Sequence, residues 1–216
     1  AASDVYKRQA TDRYTLYFTA QADTAEIIIR HAWFNHRTGT IQKLCLAKAP
    51  LISANDRAQT VCDGLIAGTL LAMAIFFFGM FLLGNRKRSM MWFSLTCLTA
   101  ALHYLIYESK QIGVLFPYLD WYTEHKLEYI TNILYFVFIL LYAFAALGLR
   151  PHKHFVVTSV CSAGAILLFY IFAPSTVYTH FTVVAGAVMA VYLILSSVYI
   201  CVTAVKHRLM GYIDSI

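Results

Sequence analysis

The residues VCDGLIAGTLLAMAIFFFGMFLLG, from Val61 to Gly84, decide the fold of this chain. They form a nearly uniformly apolar run, and about 20 such residues suffice for a helix to cross the hydrocarbon core of a bilayer. A short basic cluster, Asn85-Arg-Lys-Arg-Ser89, follows the run directly. This arrangement predicts a transmembrane helix over residues 61–84 that ends in a tight basic turn.

Four further apolar runs repeat this arrangement along the chain. They predict spans over residues 90–107, 127–149, 155–173 and 181–205, with residues 108–126 forming a longer loop. Hydrophobic residues make up 60% of the 216 residues and charged residues only 13%. A soluble domain carries about a quarter charged residues. The expected fold class is therefore mainly α, a polytopic transmembrane helical bundle over residues 56–208.

Basic residues are distributed unequally between the two ends of the predicted bundle. Between the spans, one end holds only Lys110 and Lys126. The other end holds seven basic residues: Arg86, Lys87, Arg88, Arg150, Lys153, Lys206 and Arg208. Basic loops stay in the cytoplasm, so this end is predicted to be cytoplasmic and the segment before Val61 to lie outside. The net charge of +6 then reflects topology and the lipid bilayer, and no nucleic-acid partner is expected.

The region before the first span is predicted to be a partial all-β extracellular segment. Residues 14–20, 26–34 and 40–46 are rich in aromatic and β-branched residues, as strands are. Residues 10–55 would be the C-terminal part of this domain, and the more polar residues 51–60 would extend the first span as a helix. Residues 1–9 resemble non-native sequence and residues 209–216 the truncated start of a next span, so a fragment is expected. Whether Cys45 and Cys62 form a disulfide is left open.

Three polar residues fall near the outer ends of the second and third predicted spans: His103, Glu128 and Asn132. Ionisable groups in membrane spans are costly, so such a cluster could line a pocket or carry a hydrogen bond between helices. On this interpretation, His103 is the polar partner of Glu128 on the neighbouring span. The alternative is that all three lie at the wet interface.

Small residues in the first span predict close helix contacts inside the bundle. Gly64 and Gly68 have GxxxG spacing, and Gly79 and Gly84 lie further along the same run. The sequence contains no GxGxxG, GxxxxGK[ST], HExxH or GxSxG motif, and its cysteines lack metal-ligand spacing. We therefore expect no catalytic, metal-binding or cofactor-binding residue in this chain.

Residues 78–149 resemble the membrane domain of bacterial seven-transmembrane receptors with diverse intracellular signalling modules. The likeness is carried by three stretches: Phe81-Leu-Leu-Gly-Asn-Arg-Lys-Arg-Ser89 followed by Met91-Trp-Phe-Ser-Leu-Thr-Cys-Leu98, Leu115-Phe-Pro117, and Lys126-Leu-Glu-Tyr129. The resemblance implies about five of seven spans, preceded by the end of a jelly-roll-like β-sandwich sensory domain. It gives none of these residues a catalytic role.

The function that the resemblance implies is that of a sensor in the inner or plasma membrane, in a bacterial two-component or cyclic-dinucleotide pathway. Whether it is a homodimer is left open. A small extracellular ligand of carbohydrate-like chemistry would shift the helical bundle, which would act on a cytoplasmic histidine kinase or cyclic-dinucleotide enzyme. One alternative is a secondary transporter or channel, which would show discontinuous helices and charges at the bilayer midplane. Another is a membrane-embedded enzyme with convergent His, Asp or Glu groups.

Overall fold

Five long helices and one short helix make up the computed structural model of the chain, which describes residues 18–19, 46–84, 87–116, 118–119, 121–149 and 153–207. The helices are α1 (Ala49–Leu82), α2 (Arg88–His103), α3 (Ile112–Leu115), α4 (Trp121–Ala146), α5 (Lys153–Phe172) and α6 (Ser175–His207). The helix α2 continues directly as a π-helix, Tyr104–Glu108. These described residues contain no strand, and the β-rich runs predicted before Leu46 lie almost entirely outside them.

The five long helices are each long and apolar enough to cross a membrane. The qualifying segments are Ala49–Leu82, Arg88–Glu108, Tyr122–Ala146, Lys153–Phe172 and Val177–Thr203. Five spans were predicted from the apolar runs, and the described residues confirm this number.

The helix α1 is much longer than a membrane span requires. Its 34 residues begin at Ala49, and Pro50 lies in the first turn, where the missing N–H of proline costs no hydrogen bond. At about 1.5 Å per residue the helix extends roughly 50 Å, against about 30 Å for the hydrocarbon core. The polar residues 51–60 are helical, as predicted, and they extend α1 beyond the apolar part of the bundle.

The connection between the second and third spans is shorter than the sequence predicted. The predicted loop covered residues 108–126, but α4 begins at Trp121 and α3 occupies part of the remaining connection. Hydropathy marks where a helix enters the hydrocarbon core, and it does not mark where the helix begins. The charged residues at the start of α4 are therefore helical, and residues 121–126, predicted to belong to the loop, form the first turns of α4.

Large apolar side chains cover the outside of the bundle. Phe172 is 81% exposed, Ile75 73% and Val183 68%. Soluble monomers rarely expose contiguous apolar surface of this kind, whereas helices in a bilayer present it to lipid. The outer surface and the helix lengths together indicate a multi-pass membrane protein.

The helix α4 occupies the centre of the bundle and has two packed sides. On one side it packs extensively against α2, which in turn packs against α1. On the other side it packs against α5 and α6, which also contact each other. These two sides are called the α2 side and the α5/α6 side of α4.

Alanines, and not glycines, form the buried stripe of α1. Ala67 and Ala74 are each 4% exposed. Gly64 and Gly68 are exposed, and a Cβ added at either residue, or at Gly79, would meet nothing within 4 Å. The prediction that these glycines make close contacts inside the bundle is therefore wrong, because the GxxxG pair lies on a face of α1 that no described helix covers.

Candidate functional site: a polar layer at one end of the bundle

A carboxylate lies buried inside the first span. Asp63 is 6% exposed, and its Oδ1 accepts a hydrogen bond of 2.8 Å from the phenol of Tyr104 at the end of α2. A charged group in a membrane span costs at least about 2.5 kcal/mol even on insertion scales, so such residues have partners and usually have a function. Asp63 and Tyr104 form the first hydrogen-bonded pair of the candidate site.

The π-helix positions Tyr104 and its neighbours. It covers Tyr104–Glu108, and its wider turn is closed by a 3.0 Å hydrogen bond from the Ser109 N–H to the Tyr104 carbonyl. A π-helix adds one residue to a turn, and such turns occur frequently at functional sites. Lys110 follows with φ of 53°, the single positive φ outside glycine among the described residues.

His103, the residue before the π-helix, contacts α4, whereas Tyr104 contacts α1. The Nδ1 atom of His103 lies 3.3 Å from the Thr131 hydroxyl on α4, and its ring stacks on Tyr107 at 5.6 Å between centroids. The Thr131 hydroxyl also lies 2.8 Å from the carbonyl oxygen of Leu127, one turn earlier in α4. Asp63, His103, Tyr104 and Thr131 together are called the polar layer, which joins α1, α2 and α4 at one depth.

The structure brings only one of the three predicted site residues into this layer. His103 makes the expected kind of link to α4, but its partner is Thr131, one turn along from the predicted partner. Glu128 is paired within α4, where its Oε2 lies 3.2 Å from Nδ1 of His125. Asn132 is half-buried, and no hydrogen bond of its side chain occurs among the described residues. Helix rotation decides these pairings, and the sequence did not reveal it.

Three members of the polar layer, Asp63, Tyr104 and Thr131, were not among the site residues predicted from the sequence. Asp63 is a single acidic residue in an otherwise apolar run, and this was a usable signal. It was overlooked because it lies only two residues after the predicted start of the span, where interfacial charge is common.

A cluster of tyrosines packs beside the polar layer on the α5/α6 side. The ring of Tyr129 lies 5.2 Å from Tyr170 and 5.4 Å from Tyr178, and those two rings lie 5.7 Å apart. His125 contacts the edge of Tyr129 at 5.1 Å. Rings this close pack against one another, so the tyrosine cluster (Tyr129, Tyr170 and Tyr178) is part of a packed core between the helices.

The predicted topology residues lie partly within the described chain. Lys87 and Arg88 are exposed at the start of α2, and Lys153 is exposed at the start of α5. Lys206 lies in the last turns of α6. Arg86, Arg150 and Arg208 lie outside the described residues. These four residues, Lys87, Arg88, Lys153 and Lys206, share one end of the bundle, opposite the polar layer, because successive helices run antiparallel.

The described residues bear only in part on the metal and disulfide predictions. Among the described residues, no group of three or more His, Cys, Asp or Glu side chains could hold a metal ion. Cys62 is exposed on α1. Cys45 lies outside the described chain, so the pairing of these two cysteines stays an open question.

The family of the chain is established by comparison. The family described as 7TM diverse intracellular signalling matches residues 59–213, well over half of the chain. The chain therefore belongs to this family of seven-helix membrane receptors, and the resemblance seen in the sequence is confirmed. Neither a curated protein nor a solved structure shows significant similarity to the chain. The described residues contain five of the seven spans in the family name.

Proposed function

We propose that this chain is the membrane input region of a sensor, and that it relays an extracellular signal through the bundle to a cytoplasmic histidine kinase or cyclic-dinucleotide enzyme. Membership of the receptor family carries the proposal. The long helix α1 supports it, because a single rigid helix runs from beyond the apolar region into the polar layer at Asp63. A displacement at the start of α1 would thus reach α2 directly.

The proposed orientation places the start of α1 outside the cytoplasm and the basic end inside. The excess of basic residues at the turns after α1 and α4 supports it. Tyr118, which is 99% exposed, and the exposed Lys153 are suitable positions for testing it. With native cysteines replaced, an impermeant thiol reagent should label Tyr118→Cys and not Lys153→Cys in intact cells. Labelling of Lys153→Cys alone would reverse the orientation.

The relay itself can be tested in a chimera. Residues 46–207 would replace the equivalent residues of a family member whose kinase or cyclase output responds to a known ligand. The proposal expects the output of the inserted chimera to keep responding to that ligand. Output that ignores the ligand at every junction register, with normal insertion and topology, would contradict the relay.

A transporter or channel is the second candidate, and the buried Asp63 is the observation that favours it. Intramembrane carboxylates often mark proton or ion pathways. The five described spans are each continuous helices, whereas transporter sites use broken helices at the midplane. Ion flux into proteoliposomes that contain the chain, abolished by Asp63→Asn, would favour this candidate over the receptor.

The remaining parts of the proposal concern partners and catalysis. We propose no turnover by this chain, a small extracellular ligand of carbohydrate-like chemistry, and a homodimer in the inner or plasma membrane. The uncovered face of α1 with Gly64 and Gly68 supports the dimer, since small residues let helices approach closely. Cross-linking through Gly68→Cys in native membranes should give a dimer, and a monomer at all reagent lengths would contradict it.

A further inference from the structure

The end of the second span combines two backbone irregularities with two contacts between helices. The π-helix Tyr104–Glu108 is followed by Lys110 with φ of 53°, a conformation that L-residues rarely adopt. Irregular backbone persists only where the surrounding structure holds it in place. Ile106 and Ser109 are 4% and 5% exposed, so this segment is packed and is not a frayed helix end.

The two contacts involve consecutive residues and reach in different directions. The Tyr104 phenol donates to Asp63 on α1 at 2.8 Å, and His103 lies 3.3 Å from the Thr131 hydroxyl on α4. Both residues lie at the junction where the α-helix becomes a π-helix. A change in the winding of this junction would therefore affect both neighbouring helices at once.

We propose that the π-helix Tyr104–Glu108 is a movable joint that couples α1 to α4. The extra residue of a π-turn can move along a helix when i→i+5 hydrogen bonds are exchanged for i→i+4 bonds. Each residue that it passes rotates by about 100°, the angle per residue of an α-helix. Movement of the extra residue by one turn toward the start of α2 would rotate His103 and Tyr104 together.

The two hydrogen bonds hold the joint in the state described here. When α1 shifts so that Asp63 leaves Tyr104, the joint is released and His103 leaves Thr131. The contact of α2 with α4 then depends on the position of α1, although α1 does not need to touch Thr131. This proposal deepens the receptor function by naming the route of the relay, and it rests on that function only for its physiological meaning.

Amide hydrogen exchange can test the joint in the complete chain. The protein would be placed in nanodiscs of phosphatidylethanolamine and phosphatidylglycerol, with no ligand and no output module. Tyr104→Phe should speed exchange at residues 105–109 by roughly threefold to tenfold, the factor that corresponds to one hydrogen bond. It should also speed exchange at residues 131–135 of α4.

A matched control separates the hydroxyl at this place from a general effect of tyrosine removal. Tyr142 lies on α4, where its ring contacts Phe93 and its hydroxyl has no hydrogen bond among the described residues. Tyr142→Phe should leave exchange unchanged in both segments. If Tyr104→Phe accelerates neither segment, or accelerates residues 105–109 alone, the joint does not couple α1 to α4 and the proposal fails.

A deletion tests the π-turn directly. Removal of the exposed Tyr107 takes out the extra residue, and exchange at the remaining turn should slow to the rate of α2. Removal of Tyr118, in the same connection, should have no such effect. If exchange at this turn stayed faster than in α2 after deletion of Tyr107, the proposal would be overturned.

Asp63→Asn provides a second perturbation that leaves the chain length unchanged. It weakens the same bond from the α1 side, so it should accelerate residues 105–109 and 131–135 as Tyr104→Phe does. Unchanged exchange at residues 131–135 would contradict the joint. Failure of the chimera above, with these exchange effects present, would reject the receptor relay and leave the joint intact. The reverse pattern would reject the joint alone.

Discussion

The two sides of α4 are held together in different ways. On the α2 side, hydrogen bonds join the helices at two depths. Tyr104 to Asp63 and His103 to Thr131 lie in the polar layer, and Ser94 donates to the Ala74 carbonyl at 2.7 Å nearer the start of α2. On the α5/α6 side, the tyrosine cluster and aliphatic residues such as Ile133 and Ile166 fill a common core. Tyr129 and Tyr170 also share the Thr182 hydroxyl of α6 as a hydrogen-bond partner. The cluster is thus mainly a packing contact, whereas the α2 side has individual polar bonds at separate places.

This difference matters because of how helices associate in lipid. Lipid tails are as apolar as the side chains, so association relies on close packing and on hydrogen bonds between helices. A packed aromatic core resists change at many atoms together. A single hydrogen bond is either formed or broken, and one such bond contributes little to the free energy of association. The α2 side is therefore the side suited to switching, and the α5/α6 side is suited to anchoring α4.

The largest expected effect tests the anchoring side. Tyr170 is 2% exposed and its ring contacts Tyr129 and Tyr178, so Tyr170→Ala leaves a cavity in the core. We expect the free energy of unfolding in bilayers to fall by about 3 kcal/mol, the usual cost of truncating a buried aromatic residue. Leu168→Ala is the control, since Leu168 lies on the same helix and is 58% exposed. Equal losses from both variants would refute the distinction between the sides.

The second prediction applies one substitution to both sides. Tyr104→Phe removes the donor to Asp63, and we expect a loss of about 1–2 kcal/mol because the carboxylate keeps its burial and loses a partner. Tyr178 is 0% exposed, and its phenolic oxygen has no hydrogen-bond partner among the described residues. Tyr178→Phe removes an unsatisfied group, so stability should be unchanged or should rise by up to about 1 kcal/mol.

The sign of the difference between these two variants is the decisive measurement. Reversible unfolding by steric trapping in bicelles would give both free energies under one condition. If Tyr178→Phe cost as much as Tyr104→Phe, the α5/α6 side would also depend on a polar bond, and the comparison between the sides would be lost.

A smaller effect is expected from Ser94 in the middle of the α2 side. Its hydroxyl donates to the Ala74 carbonyl on α1, and Ser94→Ala should cost about 0.6 kcal/mol, the average for polar links between membrane helices. Ser159 is equally 4% exposed, and among the described residues its hydroxyl donates to the Val156 carbonyl of its own helix and to no other helix. Ser159→Ala should therefore change stability little, and a loss as large as that of Ser94→Ala would contradict the assignment.

The helices could be predicted from the sequence because their cause is local. Each apolar run is long enough to cross the bilayer, and satisfying backbone groups in lipid requires a helix. The number of spans followed from this argument alone. The start of α4 at Trp121 did not, since polar residues outside the hydrocarbon core can be helical or irregular with little difference in hydropathy.

The polar layer could be predicted only in part because its pairings depend on helix rotation. The depth of His103 in the second span identified it as a candidate, and it also predicted that its partner lies on the third span. A rotation of α4 by one residue position changes which side chain faces α2, and the sequence gives no measure of that angle. Thr131 therefore took the place predicted for Glu128. The π-helix was also missed, because YLIYE reads as an ordinary helical segment.

The smallest expected effect concerns a polar contact between α4 and α5, at the edge of the α5/α6 side. The Lys126 ammonium donates to the Ile171 carbonyl at 2.8 Å, in the last turn of α5, where carbonyls lack helical partners. A cation there is also stabilised by the negative end of the helix dipole, by about 0.3–1 kcal/mol. The pair is exposed, so we expect Lys126→Met to cost only about 0.3 kcal/mol, less than Ser94→Ala, and to lose most of this effect in high salt.

Lys153→Met, at the start of the same helix, removes a cation from the positive end and should act in the opposite direction. A loss for Lys126→Met that exceeded the loss for Tyr104→Phe would show that the α5/α6 side also relies on polar bonds.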